Sequence, residues 1–502
     1  MASQTIITRV TGFLAQIAIA KLLVPDQVGL IALVTSITII SRHLLNPGID
    51  EILLTKKGRI NRWLSAAFWF NLAMGVLGAA VLGCTAAIVV RVAQHYGNTA
   101  FGDPMVLKMS LIMAIASPIA AISWIPFTVL QSQLRFKEIS VIMILESIGL
   151  HALTIVLALL GYGAYSFVIP MPVIALLRFV ALMILAKPTI HMRLSIHRWP
   201  ALSGSTGWLL GQRILRTGRD QGDQVVLGAL FSDTRMNGYY WFAVLLSSQV
   251  VRLMCDNLLK VLLPVMNTIR DDIERLEGAT IRACRVLAAV IIPLLMCQIV
   301  LCGPIIRLLF GVIWSPAIPL VQWLSLAPLL YASTYPMNAM ISAMGRFRVA
   351  FWLALVNLVL FFAVVTPLAI VGRDQGAAIG VAIWSWLSAL MTGIVAFRSA
   401  RGAKIVLAVV VRSLMAVALA SIPATLMVLI IPIGPTYAVV KIGIGIPMLL
   451  VLYYYIMRRL DPEAMELLHV RFGAKLQAIL AGRRNGRVVE PPELAGASQL
   501  LE

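Results

Sequence analysis

The chain has 502 residues, 60% of them hydrophobic and only 12% charged, with a mean hydropathy of +0.93. Soluble domains carry about 25% charged residues, so the composition excludes a soluble globular protein and defines an all-α polytopic membrane protein. The net charge of +20 does not point to nucleic acid, because most of the basic residues fall in loops on one side and in the tail.

Apolar runs of about 20 residues, each long enough to cross a bilayer, predict about fourteen transmembrane helices. They run over 5–22, 28–45, 64–90, 105–130, 139–160, 165–186, 205–231, 237–264, 283–312, 317–344, 349–371, 376–398, 405–432 and 436–457. The N-terminus lacks a basic n-region and a small-residue cleavage site, so the first helix is expected to start insertion itself. That helix places Thr5, Arg9, Gly12 and Gln16 on one narrow stripe. Arg9 either faces a polar seam or snorkels to the nearby surface. In the second helix Thr35, Thr38 and Arg42 form a stripe with Asn46 beyond it, and snorkelling is the simpler account of Arg42 and His43. In the fifth, Glu146 and His151 sit in an otherwise apolar run. An isolated buried carboxyl stays neutral, so Glu146 is either a packing group, the favoured reading, or a proton-coupling site.

The seventh helix, 205–231, is the most polar. Arg213, Arg216, Arg219, Asp220 and Asp223 all fall in it, and Gln212, Arg216, Arg219 and Asp223 share one stripe. Arg216 is expected to reach Asp220, and Arg219 to reach Asp223, each four residues on. A charge at bilayer depth costs roughly 3 kcal/mol, so these groups face a bundle interior or a wet cavity. Three arginines against two aspartates favour one wall of a hydrated cationic cavity over a purely structural pair of ion bridges. In 237–264, Arg252, Asp256 and Lys260 recur at four-residue steps, as a salt-bridge ladder or as part of the same cavity. The five cysteines form no CxxC pair and read as free thiols.

Basic residues alternate by side. Lys56, Lys57, Arg59 and Arg62 lie on one side, followed by Arg135 and Lys137, then Lys187, Arg193 and Arg198. Arg270, Arg275 and Arg282 continue the set with Arg346, Arg348, Arg398, Arg401, Lys404 and the tail. The opposite loops hold little beyond Lys21, Arg91, Arg235 and Arg373. The positive-inside rule makes this a multi-pass protein with cytoplasmic N- and C-termini. The start of the tail reads as an amphipathic helix on the membrane surface, and its basic end as mobile.

The two halves echo each other. Ser123-x-x-Pro126 precedes Arg135-Phe136-Lys137, and Ser333-x-x-Pro336 precedes Arg346-Phe347-Arg348, at offsets of 210 and 211. Glu146 falls opposite Asn357 and Gly161 opposite Gly372 at 211, and Gly29 answers Gly238 at 209. Each repeat holds six helices, so both insert the same way up. Two six-helix bundles, 1–200 and 201–400, are expected about an axis along the membrane normal, with a substrate path between them. Residues 401–458 supply helices thirteen and fourteen, and 459–502 a cytoplasmic tail. Pro118 and Pro126 are matched by Pro328 and Pro336 as sites of helix bending. No P-loop, HExxH, GxSxG or metal-ligand spacing is present, so no enzyme and no cofactor is expected.

Several stretches resemble a known family. Ala20-Lys-Leu-Leu-Val-Pro-Asp-Gln-Val-Gly29-Leu-Ile-Ala-Leu is similar to its N-terminal signature, and Ser65 to Leu72 to its third helix. Gly238-Tyr-Tyr follows the seventh helix, and Ile306-Arg-Leu-Leu-Phe-Gly311-x-x-Trp314-x-Pro316-Ala-Ile-Pro319-Leu-x-Gln322 is the most specific match. These resemble the polysaccharide transporter family (Wzx-type flippases) of the multidrug/oligosaccharidyl-lipid/polysaccharide exporter superfamily. The resemblance implies export of undecaprenyl-diphosphate-linked oligosaccharide across a bacterial inner membrane for exopolysaccharide or lipopolysaccharide assembly, alongside polymerase and export machinery. Arg213, Arg216 and Arg219, then Arg9 and Arg252 with Gln16 and Gln212, are the residues expected to hold the diphosphate and sugar. Glu146, Asp223 and Asp256 are the carboxylates that would couple transport to a proton or sodium gradient. A cation-coupled drug exporter of the same fold and a membrane polysaccharide polymerase are the alternatives.

Overall fold

The computed structural model describes residues 2–44, 61–188, 199, 207–397, 400–432 and 434–468. Lys56, Lys57, Arg59, Arg193, Arg198, Arg398 and the tail beyond 468 lie outside that set, as do the side chains of Arg42, His43, Arg62, Arg213, Asp256 and Lys260. The described chain is helical: α1 (Ala2–Leu22), α2 (Pro25–Leu44), α3 (Asn61–His95), α4 (Thr99–Gly102), α5 (Pro104–Ser132), α6 (Phe136–Leu159), α7 (Tyr165–Val168) and α8 (Pro170–Ala186). There follow α9 (Gly207–Asp220), α10 (Gly222–Leu230), α11 (Thr234–Ser247), α12 (Gln249–Thr268) and α13 (Ile273–Leu309). A 3-10 turn, Val312–Ala317, leads to α14 (Ile318–Leu326), α15 (Pro328–Tyr331), α16 (Thr334–Ala343), α17 (Phe347–Ala396), α18 (Ala400–Ile430) and α19 (Pro435–Leu460).

Among the described residues, nine segments are long and apolar enough to cross a membrane. One of them, α17, doubles back at Arg373, whose φ of 53° and ψ of −132° are not helical. The turn is tight: a Cβ on Gly376 would lie 1.9 Å from the Leu368 carbonyl oxygen. Pro25–Ile39 is a shorter apolar helix. The polar stripes predicted from sequence lie on the first two helices of each repeat, 5–22 and 28–45, and 205–231 and 237–264.

The repeat is visible in backbone geometry. Before α6, Leu134 adopts φ 57°, and before α17 Gly345 adopts φ 68°. In each copy the following arginine, Arg135 or Arg346, has near-identical dihedrals (φ −80°, ψ 56° and φ −79°, ψ 52°). Its amide reaches back to Leu130 or Ile341, and the next phenylalanine's amide to Leu134 or Gly345. One turn is thus built twice from the Arg-Phe motif. At the later match the copies differ, because Gly161 takes the positive φ in one and Arg373, not Gly372, in the other.

Contacts divide the chain into two compact units, Met1–Phe242 and Ala243–Glu502. In the first, Leu64, Ala67, Phe70, Ile125, Leu130 and Leu182 form a core shared by α3, α5 and α8. A Cβ on Gly75 would lie 2.6 Å from the Pro118 Cα, so α3 meets α5 where proline opens the latter. In the second unit, Cys284, Leu287 and Ile291 of α13 pack with α18 and α19. Beside Val406, Val409, Val410 and Val417, α18 gives that core Ala416, Ala420 and Ala424, spaced four apart. Without a hydrophobic drive between helices in lipid, such small side chains allow the close packing that holds them together. All five cysteines are free, and all but Cys84 are buried.

Candidate functional site

The polar stretch after residue 205 is not one helix. It breaks at Gln221 (φ −114°, ψ −1°), separating α9 from α10. This corrects the expected Arg219–Asp223 pair, and the Arg216–Asp220 pair, which lies within α9, is not formed either, because Asp220 holds Arg219. Across the break the four-residue spacing no longer sets two side chains on one face, and Arg219 pairs with its neighbour Asp220, Nε to Oδ1 at 2.8 Å. Asp223 turns inward to the first turn of α10. It is buried, accepting the Gln224 amide at 2.8 Å and the Tyr240 hydroxyl at 3.2 Å. Tyr240 is fully buried, and the buried Gln224 amide group has no hydrogen-bond partner among the described residues. Arg216 is exposed, and no acid lies within ion-pair distance of it among the described residues. Gln212 and Arg219 are partly buried.

On α1, Arg9 and Gln16 are both partly buried. At Gly12, α1 lies against α6, where a Cβ would make an ordinary contact with the His151 ring at 3.5 Å. Glu146 is not isolated. Its Oε1 accepts from Arg178 of α8 at 3.2 Å, and the Arg178 guanidinium lies 5.3 Å from the Trp124 ring centre and 5.8 Å from that of Phe127. The pair lines a cavity of about 180 Å³ that also exposes Thr38, Ser117 and Ser123. The carboxylate is therefore matched by a cation that its own helix does not carry. The signal was present in the sequence: Arg178 is the only charged residue in 165–186.

Arg252, in the second unit, is partly buried, and its Nη2 donates to the Leu245 carbonyl at 3.3 Å.

A further contact joins repeat-equivalent residues. At the offset of 209, Pro25, Asp26 and Gly29 correspond to Thr234, Arg235 and Gly238. A Cβ on Gly29 would lie 1.8 Å from the Thr234 carbonyl oxygen, and one on Gly238 2.0 Å from that of Pro25. Asp26 accepts from Arg235 Nε at 3.2 Å. The starts of α2 and α11 thus cross backbone to backbone, each glycine receiving the other's first turn. Beside the crossing, Asn98 donates to the Gly228 and Ala229 carbonyls at 2.9 and 3.0 Å, and Thr99 to Ser232 at 3.1 Å. The hydrogen bonds close the end of α10 against the α3–α4 turn.

Apolar spans, with polar helices opening each repeat, are those of a polytopic membrane protein. The fold agrees. A solved structure of the lipid II flippase MurJ in an inward closed conformation aligns with TM-score 0.68 at 15% identity, covering 91% of this chain and 99% of that one. An inward-facing multidrug MATE family transporter aligns with TM-score 0.60 at 15% identity, covering 80% and 95%. Residues 18–319 match the model of the family described as "Polysaccharide biosynthesis protein", and the chain belongs to that family. It is 24% identical over 370 residues to the succinoglycan biosynthesis transport protein ExoT of Rhizobium meliloti (strain 1021), covering 73% of this chain and 72% of that one. Over 418 residues it is 22% identical to the lipopolysaccharide biosynthesis protein WzxC of Escherichia coli (strain K12), covering 78% of each.

Proposed function

We propose that the protein flips an undecaprenyl-diphosphate-linked oligosaccharide from the cytoplasmic to the periplasmic leaflet of a bacterial inner membrane, as a step in exopolysaccharide or lipopolysaccharide assembly. The observation that carries this reading is that Arg9, Gln16, Gln212, Arg216, Arg219 and Arg252 lie on the helices that open the two repeats. Fourteen helices then form two six-helix bundles, 1–200 and 201–400, with a further helix pair at 401–458 and a cytoplasmic tail from 459. The names of the relatives from Rhizobium meliloti and Escherichia coli support polysaccharide cargo, and the fold shared with a lipid II flippase supports a lipid-linked one.

Arg216 is the first candidate for the diphosphate, because it is exposed and no carboxylate among the described residues pairs with it. Arginine holds phosphate through two parallel N–H donors. Arg213, Arg219, Arg9 and Arg252 would add field, and Gln16 and Gln212 sugar contacts. In this reading the close crossing of Gly29 and Gly238 serves as a gate toward the periplasm that parts when the bundles rock. Coupling to a proton or sodium gradient would run through Asp223, Asp256 or Glu146. Asp223 is the strongest of these because it is buried against the Tyr240 hydroxyl and the Gln224 amide, whereas Glu146 already holds Arg178. An excess of cations on the polar stripes argues against a drug exporter for cationic compounds.

Complementation of a strain lacking the protein tests this. Arg216→Ala should lose about 10- to 100-fold in polysaccharide output at normal protein level, the loss of one bidentate charged contact of about 1.5–3 kcal/mol. Arg216→Lys should recover part. Normal output from Arg216→Ala would remove that residue from the site.

A further inference from the structure

The second unit holds a cavity that the transport reading does not use. It has a volume of about 690 Å³ and is built from α13, the 3-10 turn, α14, the end of α18 and the start of α19. That size is ordinary for a ligand site. Its walls are apolar, with Val300, Leu308, Val312, Ile318 and Leu429 among them. Its ionisable groups are two cations, Arg307 and Lys441, and no acid lines it.

The cations are not explained by the fold alone. Arg307 lies in the last turn of α13, where a cation is welcome. Lys441 is only 4% exposed and sits in the second turn of α19, at the end where a cation is disfavoured. One of its three ammonium donors goes to the Val428 carbonyl at 2.9 Å, which leaves two. Like charges brought into one apolar cavity repel, unless an anion lies with them. Gly434, at the N-terminus of the 26-residue α19, lines the same cavity and adds the positive end of a helix dipole.

Position selects the anion. Three candidate spans terminate at the cavity, α13 at Leu309, α18 at Ile430 and α19 at Pro435. The ends of spans lie at the depth of lipid phosphates. We infer that this cavity binds an anionic phospholipid, its phosphate between Arg307 and Lys441 and one acyl chain along Val300, Leu308 and Ile318. The lipid is a resident of the second unit, distinct from the transported cargo. It fills the wedge between α13 and the α18–α19 hairpin.

Native mass spectrometry of the full-length protein tests this, with dioleoyl phosphatidylglycerol, dioleoyl phosphatidylcholine or undecaprenyl phosphate added separately. Phosphatidylglycerol should be retained about 10-fold better than phosphatidylcholine. Arg307→Gln, a change at a partly exposed residue that leaves the Lys441 bond intact, should remove most of that preference, as should Lys441→Met. Inorganic phosphate at millimolar concentration should not displace the lipid. Equal retention of the two phospholipids, or an unchanged preference in Arg307→Gln, would overturn the inference. Displacement by phosphate would assign a free anion instead, and preferential retention of undecaprenyl phosphate would assign a prenyl lipid.

Discussion

The ion pair of Glu146 and Arg178 shows how one side chain changes the meaning of another. Alone, Glu146 in an apolar helix reads as neutral or proton-coupled; with Arg178 at 3.2 Å, it is a charged partner in a shared cavity. Removing either group leaves the other without its charge. Arg178→Ala or Glu146→Gln should each cost about 1–3 kcal/mol, and the double variant less than their sum. Thermal unfolding of the four proteins in detergent checks this, and additive losses would deny the coupling. The pair was not legible from spacing, because its members lie 32 residues apart on different helices. The polar stripe of 205–231 was legible, but its pairing was not. Periodicity assumes an unbroken helix, and the break at Gln221 redirects Arg219 to Asp220 and Asp223 to Tyr240.

At the scale of elements, the repeated turn before α6 and α17 offers an internal control. The second copy places Gly345 at the positive φ, whereas the first places Leu134 there, 71% exposed. A side chain in the left-handed region costs roughly 1–2 kcal/mol. Leu134→Gly should therefore raise the unfolding temperature, and Gly345→Leu should lower it. An opposite sign for either would mean that the turn is not held as described. The crossing of α2 and α11 makes a sharper demand. A side chain at Gly29 or Gly238 would meet a carbonyl oxygen at about half the normal contact distance. Gly29→Val should push the two helices apart, and should abolish the disulfide that an Asp26→Cys/Arg235→Cys pair is expected to form when Gly29 is kept. Unchanged cross-linking in Gly29→Val would contradict the close approach. The sequence carried the glycines and their offset, but not their contact. Equivalence at 209 says that two residues play the same part in two repeats, not that they touch.

At the scale of the whole molecule, the apolar runs made the membrane class, and most helix limits, readable from sequence. Hydropathy found the helices that face lipid or core on all sides. The first two helices of each repeat are legible as apolar runs too, and the polar stripes on them mark them as the walls of a path, because polar groups at bilayer depth are costly unless they face water or one another. The account therefore rests on a lipid-linked anion moving along those helices, held first by Arg216, which no carboxylate among the described residues neutralises.

The most direct test is flipping in proteoliposomes. Purified protein would be reconstituted with a fluorescent undecaprenyl-diphosphate oligosaccharide, and its leaflet exposure followed with and without a proton or sodium gradient. The account predicts protein-dependent movement that falls at least about 10-fold in Arg216→Ala and loses its gradient dependence in Asp223→Asn. Movement by Arg216→Ala at the parent rate, or none by the folded parent protein under any gradient, would contradict it.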